Sequence, residues 1–87
     1  MIIEISKITQ ISIDDILGES RMANIVNVRH IYWFLMFEAG FNYSQIAKLN
    51  SRTKPTVYHG IMKTREMLSI GDREVKRIYG QVKGVKR

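Results

Sequence analysis

Apolar residues along most of this chain recur every three or four positions, which is the spacing of amphipathic helices. The clearest case is the segment that follows Thr53. One face of that segment carries Val57, Ile61, Thr64 and Leu68. A shorter apolar unit over residues 44–49 precedes it, with Ser44 as its start signal, and a tight turn separates the two units. This order predicts a helix, a turn and a second helix over residues 43–67.

The second of these helices begins with a distinctive group of residues. Thr53 is a favourable N-cap, and Pro55 fits the first turn because amides there have no intrahelical acceptor. Arg52, Lys54 and Thr56 add two cations and a hydroxyl. Exposed amides, cations and hydroxyls suit DNA phosphates and base edges. A helical hairpin with a solvated basic corner is the competing interpretation, and this segment alone does not separate the two.

Three further helices follow from start and stop signals or from spacing. Residues 2–11 are rich in β-branched residues, but apolar residues at every third position favour a helix over a strand. Ser12 can cap a short helix that ends at Gly18. Asp72 can cap a last helix over residues 73–82. The apolar side of that last helix consists of Val75, Ile78, Tyr79 and Val82.

Residues 25–40 predict the longest helix, with Gly40 as its stop. Nearly every position over residues 31–37 is apolar, which is typical of a helix that is buried on several sides. One core face cannot hold Trp33, Phe34 and Phe37 together with the other large residues of this run, Tyr32, Leu35 and Met36. Some of the three therefore meet other helices or form a partner surface. A central core helix is the favoured interpretation, and a homo-oligomer through residues 31–37 is the alternative. The predicted fold is an all-α bundle of five to six helices.

The 87 residues suit a single domain. Charge is divided unevenly along them. Residues 1–40 hold three basic and five acidic residues, a net charge of −2, whereas residues 41–87 hold eleven basic and three acidic residues, a net charge of +8. The basic half contains the predicted helix-turn-helix and a basic tail at 83–87, so a polyanion is the favoured partner. The second helix of the pair and the tail lack the bulky exposed apolar face that binding to an anionic membrane requires.

Several classes of function lack their usual residues. Cysteine is absent, so neither a disulfide nor a cysteine-based zinc site can hold the fold. No carboxylate cluster accompanies the two histidines, His30 and His59, which argues against a metal site. Asp14 and Asp15 are neighbours on a helix and point about 100° apart, so they do not converge. The sequence has no phosphate-loop spacing, signal peptide or membrane-spanning run. We therefore expect a cytoplasmic, nucleoid-associated protein that is not an enzyme and needs no cofactor.

Five runs occur in a fixed order, and together they resemble a known family. They are IDDILG at 13–18, SR at 20–21, NVRHI at 27–31, YSQIA at 43–47 and RTKPTVYHG at 52–60. The C-terminal DNA-binding domain of the bacterial replication initiator DnaA has a similar order. Its marks are a DLL helix, an R-x-R loop, an aRq opening of the long helix, an S-L-x-x-I-G helix and the signature G-G-R-D-H-T-T-V-l-H-A. The resemblance covers roughly residues 5–70.

The resemblance implies a Trp-repressor-like fold whose helix from Thr53 enters the major groove of double-stranded DNA. Arg21 falls at the minor-groove arginine of the family. Arg29 falls at the arginine that contacts phosphate or base, and His30 falls where the family usually has Gln. Arg52, Thr56 and His59 match signature positions, and lysines nearby would contact phosphates. The candidate DNA-binding residues are Arg21, Arg29, His30, Ser44, Lys48, Arg52, Thr53, Lys54, Pro55, Thr56, His59 and Lys63.

Within residues 50–56 the chain differs from the family signature at five positions. Asn50 and Ser51 replace its two glycines, and Thr53, Lys54 and Pro55 replace Asp, His and the first Thr. The fold and docking mode can therefore persist without recognition of the family's cognate box. The chain has no ATPase motif, so we expect a free-standing bacterial or phage reader domain, acting in replication initiation, transcription or mobile-element control, or a fragment of a larger protein. A protein-interaction module with the same fold is the alternative, and RNA is a third partner that a basic surface allows.

Overall fold

Six α-helices occur among residues 1–84, which are the residues that the structure, a computed structural model, describes. They are α1 (Ile2–Thr9), α2 (Ile13–Leu17), α3 (Ala23–Glu38), α4 (Tyr43–Leu49), α5 (Lys54–Ser69) and α6 (Arg73–Val82). No strand occurs in this part of the chain, which confirms the predicted all-helical class. The predicted basic tail at 83–87 lies outside the described residues from position 85 onwards.

Local capping chemistry sets where several of these helices begin. Ser12, Thr53 and Asp72 each accept a hydrogen bond from a backbone amide in the first turn of α2, α5 and α6, as the sequence predicts. Ser44 is not the start of α4. Asn42 caps that helix instead, because it forms a reciprocal capping box with Gln45, whose side chain accepts from the Asn42 amide.

Helix α3 lies between two hydrophobic clusters, which explains why it is apolar almost all round. On one side Val28, Ile31 and Leu35 pack with residues of α1, α2 and α6. On the other side Trp33 and Phe34 pack with residues of α4 and α5. The prediction of a central helix covered on several sides is therefore confirmed for these residues.

The aromatic residues of α3 are mostly used within the single chain. Trp33 is 2% exposed and Phe34 is 7% exposed, so neither offers a surface to a partner. Phe37 is half-buried and stacks on Tyr43 of α4, with ring centroids 4.9 Å apart. Self-association through residues 31–37 stays a prediction, but little of the aromatic surface that motivated it is accessible.

Candidate nucleic-acid interface

The turn between α4 and α5 is held by its own backbone and by one buried amide side chain. Asn50 is buried, and its Nδ2 donates to the carbonyl oxygen of Ile46 at 2.8 Å. Ser51 has φ 54°, in the left-handed region that favours glycine. The amide of Arg52 then donates back to the carbonyl oxygen of Ala47 at 2.9 Å. The chain thus makes the sharp turn between the two helices without the two glycines of the family signature.

The start of α5 presents a polar, solvent-exposed face. The hydroxyl of Thr53 lies 2.8 Å from that of Thr56 and caps the Thr56 amide at 3.4 Å. The exposed residues on this part of the helix are Lys54, Pro55, Thr56, Tyr58, His59 and Lys63. The opposite face is buried through Val57, Gly60, Ile61 and Thr64. Packing of that buried face therefore fixes which side chains α5 offers to a ligand.

Gly60 marks a close approach between α5 and α3. A Cβ atom at this position would lie 2.7 Å from Cε3 of Trp33 and 2.8 Å from Cδ2 of His30. Real Cβ atoms essentially never come that near to other heavy atoms, so the space beside Gly60 is already filled by the two rings. The family signature has Ala here. In this chain, Gly lets α5 lie directly against the indole of Trp33.

Arg21 is exposed on the connection between α2 and α3 and lines the same surface depression as the start of α5. This open depression, of about 550 Å³, is also lined by His30 and Thr56. A second open depression, of about 630 Å³, shares His30 and Thr56 and extends to His59 and Lys63. These five residues, all of them candidates from the sequence, therefore line one concave face.

Arg29 does not face solvent, in contrast to the DNA-contacting position that the resemblance implies. It is 6% exposed, and its guanidinium donates three hydrogen bonds to backbone carbonyl oxygens, each at 2.9 Å. The three acceptors belong to Asp15, Ile16 and Ser20, at the end of α2 and in the following loop. Burial lowers the pKa of Arg29, and the neighbouring charge of Arg52 lowers it further.

Arg52 also turns towards the protein. Its Nη2 donates to the carbonyl oxygen of Leu17 at 3.2 Å and to that of Gly18. The side chain is half-buried, and it lines the depression that contains Arg21. Arg52 is expected to contact a DNA groove, but in the structure its guanidinium group is used for hydrogen bonds to the backbone at the end of α2.

His30 is half-buried between Trp33 and the side chains of α5. Its ring centroid lies 5.3 Å from that of Trp33, with the planes tilted by 34°. Burial lowers the pKa of His30 to about 4, with contributions from the charges of Arg29 and Lys63. The imidazole is therefore neutral at physiological pH, as Gln is at this position in the family, and it can offer one donor and one acceptor.

The α4 residues among the candidates lie apart from the two depressions. Ser44 and Lys48 are exposed, and Lys48 lines a separate shallow depression together with Phe41, Gln45 and Leu49. Neither residue lines the depressions that hold Arg21 and Thr56.

Tyr58 is an exposed residue of α5 that the sequence analysis did not select. It is 43% exposed, and its ring contacts Tyr43 edge-on at 5.2 Å and His59 at 5.9 Å. Its position directly before His59, four residues after Lys54, is the signal that would have identified it. Tyr58 thus adds an aromatic ring to the same exposed part of α5.

A short helix, a tight turn and a second helix with an exposed polar start define a helix-turn-helix domain, the class in which the second helix reads DNA. The sequence model described as the bacterial dnaA protein helix-turn-helix matches residues 1–64, which is most of the chain. The chain therefore belongs to the bacterial DnaA helix-turn-helix family, as its sequence predicts. That family consists of non-catalytic DNA-binding domains. No solved structure matches the chain.

None of the helices within residues 1–84 is long and apolar enough to cross a bilayer.

Proposed function

We propose that this chain binds double-stranded DNA with α5 in the major groove and Arg21 in the adjacent minor groove. The observation that carries this proposal is the shared concave face: Arg21, His30, Thr56, His59 and Lys63 line two adjoining depressions. A helix-turn-helix needs its recognition helix and its flanking contacts on one side of the domain to engage one duplex. The domain would act in the nucleoid as a reader of DNA.

Affinity would come mainly from phosphate contacts. Lys54 and Lys63 are exposed on α5, and the chain carries a net charge of +6. Each phosphate neutralised by a cation releases counterions, so binding should weaken steeply as salt rises. Sequence preference would depend on the smaller number of side chains that reach base edges, of which Thr56, His59 and Tyr58 are the exposed examples on α5.

The target sequence need not be the family's box. Lys54 and Pro55 stand where the family signature has His and Thr, and both are exposed at the start of α5. Lys54 can bind a guanine edge or a phosphate, whereas Pro55 has neither a hydroxyl nor an amide hydrogen to offer. We therefore infer a retained docking mode with an altered preference at the bases that face these two residues.

Fluorescence anisotropy with two labelled duplexes tests the proposal. One duplex carries an initiator-type box and the other a scrambled sequence of equal length, each at low and at near-physiological salt. We expect binding to at least one duplex with a steep salt dependence. Thr56→Val and Arg21→Ala should weaken it, whereas Arg77→Ala, on the exposed surface of α6, is the matched control for the loss of one charge.

The outcomes separate the candidate functions. A box preference at the higher salt would mean that the family's reading survives the altered turn. Equal, salt-labile binding would retain DNA as the partner and lead to a selection from random duplexes for the preferred site. No binding to either duplex at low salt would contradict the proposal and favour the protein-interaction module. That alternative has little support in the fold, since Trp33 and Phe34, two of the three aromatic residues that motivated it, are buried.

A further inference from the structure

We propose that Arg29 and Arg52 are positioning residues, which hold the loop of Arg21 at a fixed place relative to α5 and thereby set how the two grooves are read together. This inference rests on the proposed function, and it differs from the direct DNA contacts that the family resemblance implies for both arginines. It follows from the backbone carbonyl oxygens to which their guanidinium groups donate, and from the position of Arg21 directly after those residues in the chain.

The acceptors are carbonyl oxygens at the C-terminal end of α2 and in the loop that follows it. A helix leaves its last four carbonyl groups without an intrahelical partner, and α2 has only five residues. Its end therefore has several acceptors to satisfy within a half-buried part of the molecule. The carbonyls of Asp15, Ile16, Leu17, Gly18 and Ser20 all receive arginine donors.

The two arginines come from different elements. Arg29 belongs to α3 and lies 13 residues after Ile16, whose carbonyl accepts from its Nε. Arg52 belongs to the turn before α5 and lies 35 residues after Leu17. Arginine is suited to this task, because its planar group carries five N–H donors in a fixed arrangement and remains charged. The end of α2 is thus joined both to the central helix and to the helix-turn-helix itself.

Arg21 follows directly after these tethered residues. Gly18 is bound by Arg52 and Ser20 by Arg29, so the backbone on the N-terminal side of Arg21 is held by both arginines. On its C-terminal side, the amide of Met22 donates to Ser20 Oγ at 3.3 Å, and α3 begins at the next residue, Ala23. A loop whose backbone is held in place before binding loses less conformational freedom when its side chain enters a groove. The tethers should therefore favour duplexes whose minor groove lies where the loop places Arg21.

Charge-conserving substitutions test the inference. Arg29→Lys and Arg52→Lys keep the positive charge but replace the guanidinium donors with one ammonium group. Arg77→Lys on exposed α6 is the matched control. Each variant is titrated with a labelled box duplex flanked by A·T pairs and with the same duplex flanked by G·C pairs, because a narrow A·T minor groove attracts arginine. We expect each of the two variants to lose about tenfold in affinity for the A·T-flanked duplex, and the control to lose none.

A double-mutant cycle distinguishes positioning from direct contact. If Arg52 acts through Arg21, Arg52→Lys should cost little further affinity in an Arg21→Ala background, and the salt dependence should be the same for Arg52→Lys and the wild-type protein. Losses that add in the double variant, or that are equal for both flanks, would overturn the inference. They would indicate an independent DNA contact or a general effect on folding.

A measurement without DNA keeps the inference separate from the proposed function. Amide hydrogen exchange at residues 19–22 should be faster in Arg29→Lys and Arg52→Lys than in Arg77→Lys, because the loop opens more often once its tethers weaken. Exchange rates that match the control would overturn the inference even if DNA binds. Faster exchange in a protein that binds neither duplex would still support the conclusion that the two arginines hold the loop. It would contradict only the proposed function.

Discussion

Arg29 and Arg52 approach the same end of α2 from different elements, and both donate to its backbone carbonyl oxygens. Arg29 makes three such hydrogen bonds at 2.9 Å, and Arg52 reaches the next two carbonyls along the chain, those of Leu17 and Gly18. Arranged in this way, the carbonyl dipoles compensate the burial of Arg29 and offset the repulsion between two neighbouring cations. The helix end and the two arginines therefore depend on one another for stability.

Replacing Arg29 with Met should lower the free energy of unfolding by roughly 2–3 kcal/mol. Met preserves much of the apolar volume but removes the guanidinium donors from the carbonyls of Asp15, Ile16 and Ser20, of which only Asp15 keeps the Gly18 amide as a further donor in the structure. Two of these hydrogen bonds are only partly buried, so water can replace part of what is lost. Urea denaturation measures the change. Arg77→Met on the exposed side of α6 is the control, and an equal loss in both variants would contradict a special role for Arg29.

Replacing Ser51 with Gly should stabilise the fold. Ser51 adopts φ 54°, where an L side chain is strained and glycine is not, and the family signature has Gly at this position. Allowing for the larger entropy of glycine in the unfolded chain, we expect a gain of about 0.5–1 kcal/mol, or about 2–8 °C in melting temperature. Thermal unfolding followed by circular dichroism measures it. Ser51→Ala keeps the strain, so a comparable gain in that variant would disprove this explanation.

Alanine at Gly60 and at Gly80 should have opposite effects, although both glycines lie in helices. At Gly60 the added methyl group would meet the rings of Trp33 and His30, and we expect a loss of about 1–3 kcal/mol. At Gly80 nothing lies within 4 Å of the added atom, so the better helix propensity of alanine should give a gain of up to about 1 kcal/mol. Chemical denaturation of both variants measures the pair. A gain at Gly60 would show that the two rings can move aside.

The parts of the fold that the sequence predicts are those determined by nearby residues. Thr53 and Asp72 are predictable caps because the amides that donate to them lie only three residues further along the chain. Ser44 is the predicted start of α4 because it precedes the apolar positions, whereas Asn42 and Gln45 form the capping box that the structure shows. The spacing of that pair was present in the sequence and would have corrected the start.

The parts that the sequence does not predict depend on distant residues. Arg29 is an isolated cation in the helix 25–40 of the sequence analysis, and isolated cations are usually exposed. Its burial depends on carbonyl acceptors that lie 9 to 14 residues earlier in the chain, and nothing in the residues beside Arg29 indicates them. Likewise, the shared face of Arg21 and Thr56 follows from the packing of α5 against α3 through Gly60 and Trp33. Such relationships require the three-dimensional structure.

The stability of this domain should fall between about pH 7 and pH 5 through the titration of His30. The pKa of His30 is about 4 in the folded protein, against an ordinary value of 6.5, because burial disfavours the charged ring. The unfolded chain therefore binds a proton at a pH where the folded protein does not. The stability associated with neutral His30 is present above about pH 6.5 and is lost progressively towards pH 4, by about 2 kcal/mol at pH 5.

We expect His30→Gln, which cannot be protonated in this range, to remove that part of the decline. Urea denaturation at pH 7, 6 and 5 would measure it, with Gly80→Ala as a control that changes stability without changing a titratable group. Equal slopes in the His30→Gln and wild-type proteins would mean that His30 is protonated without cost in the folded state.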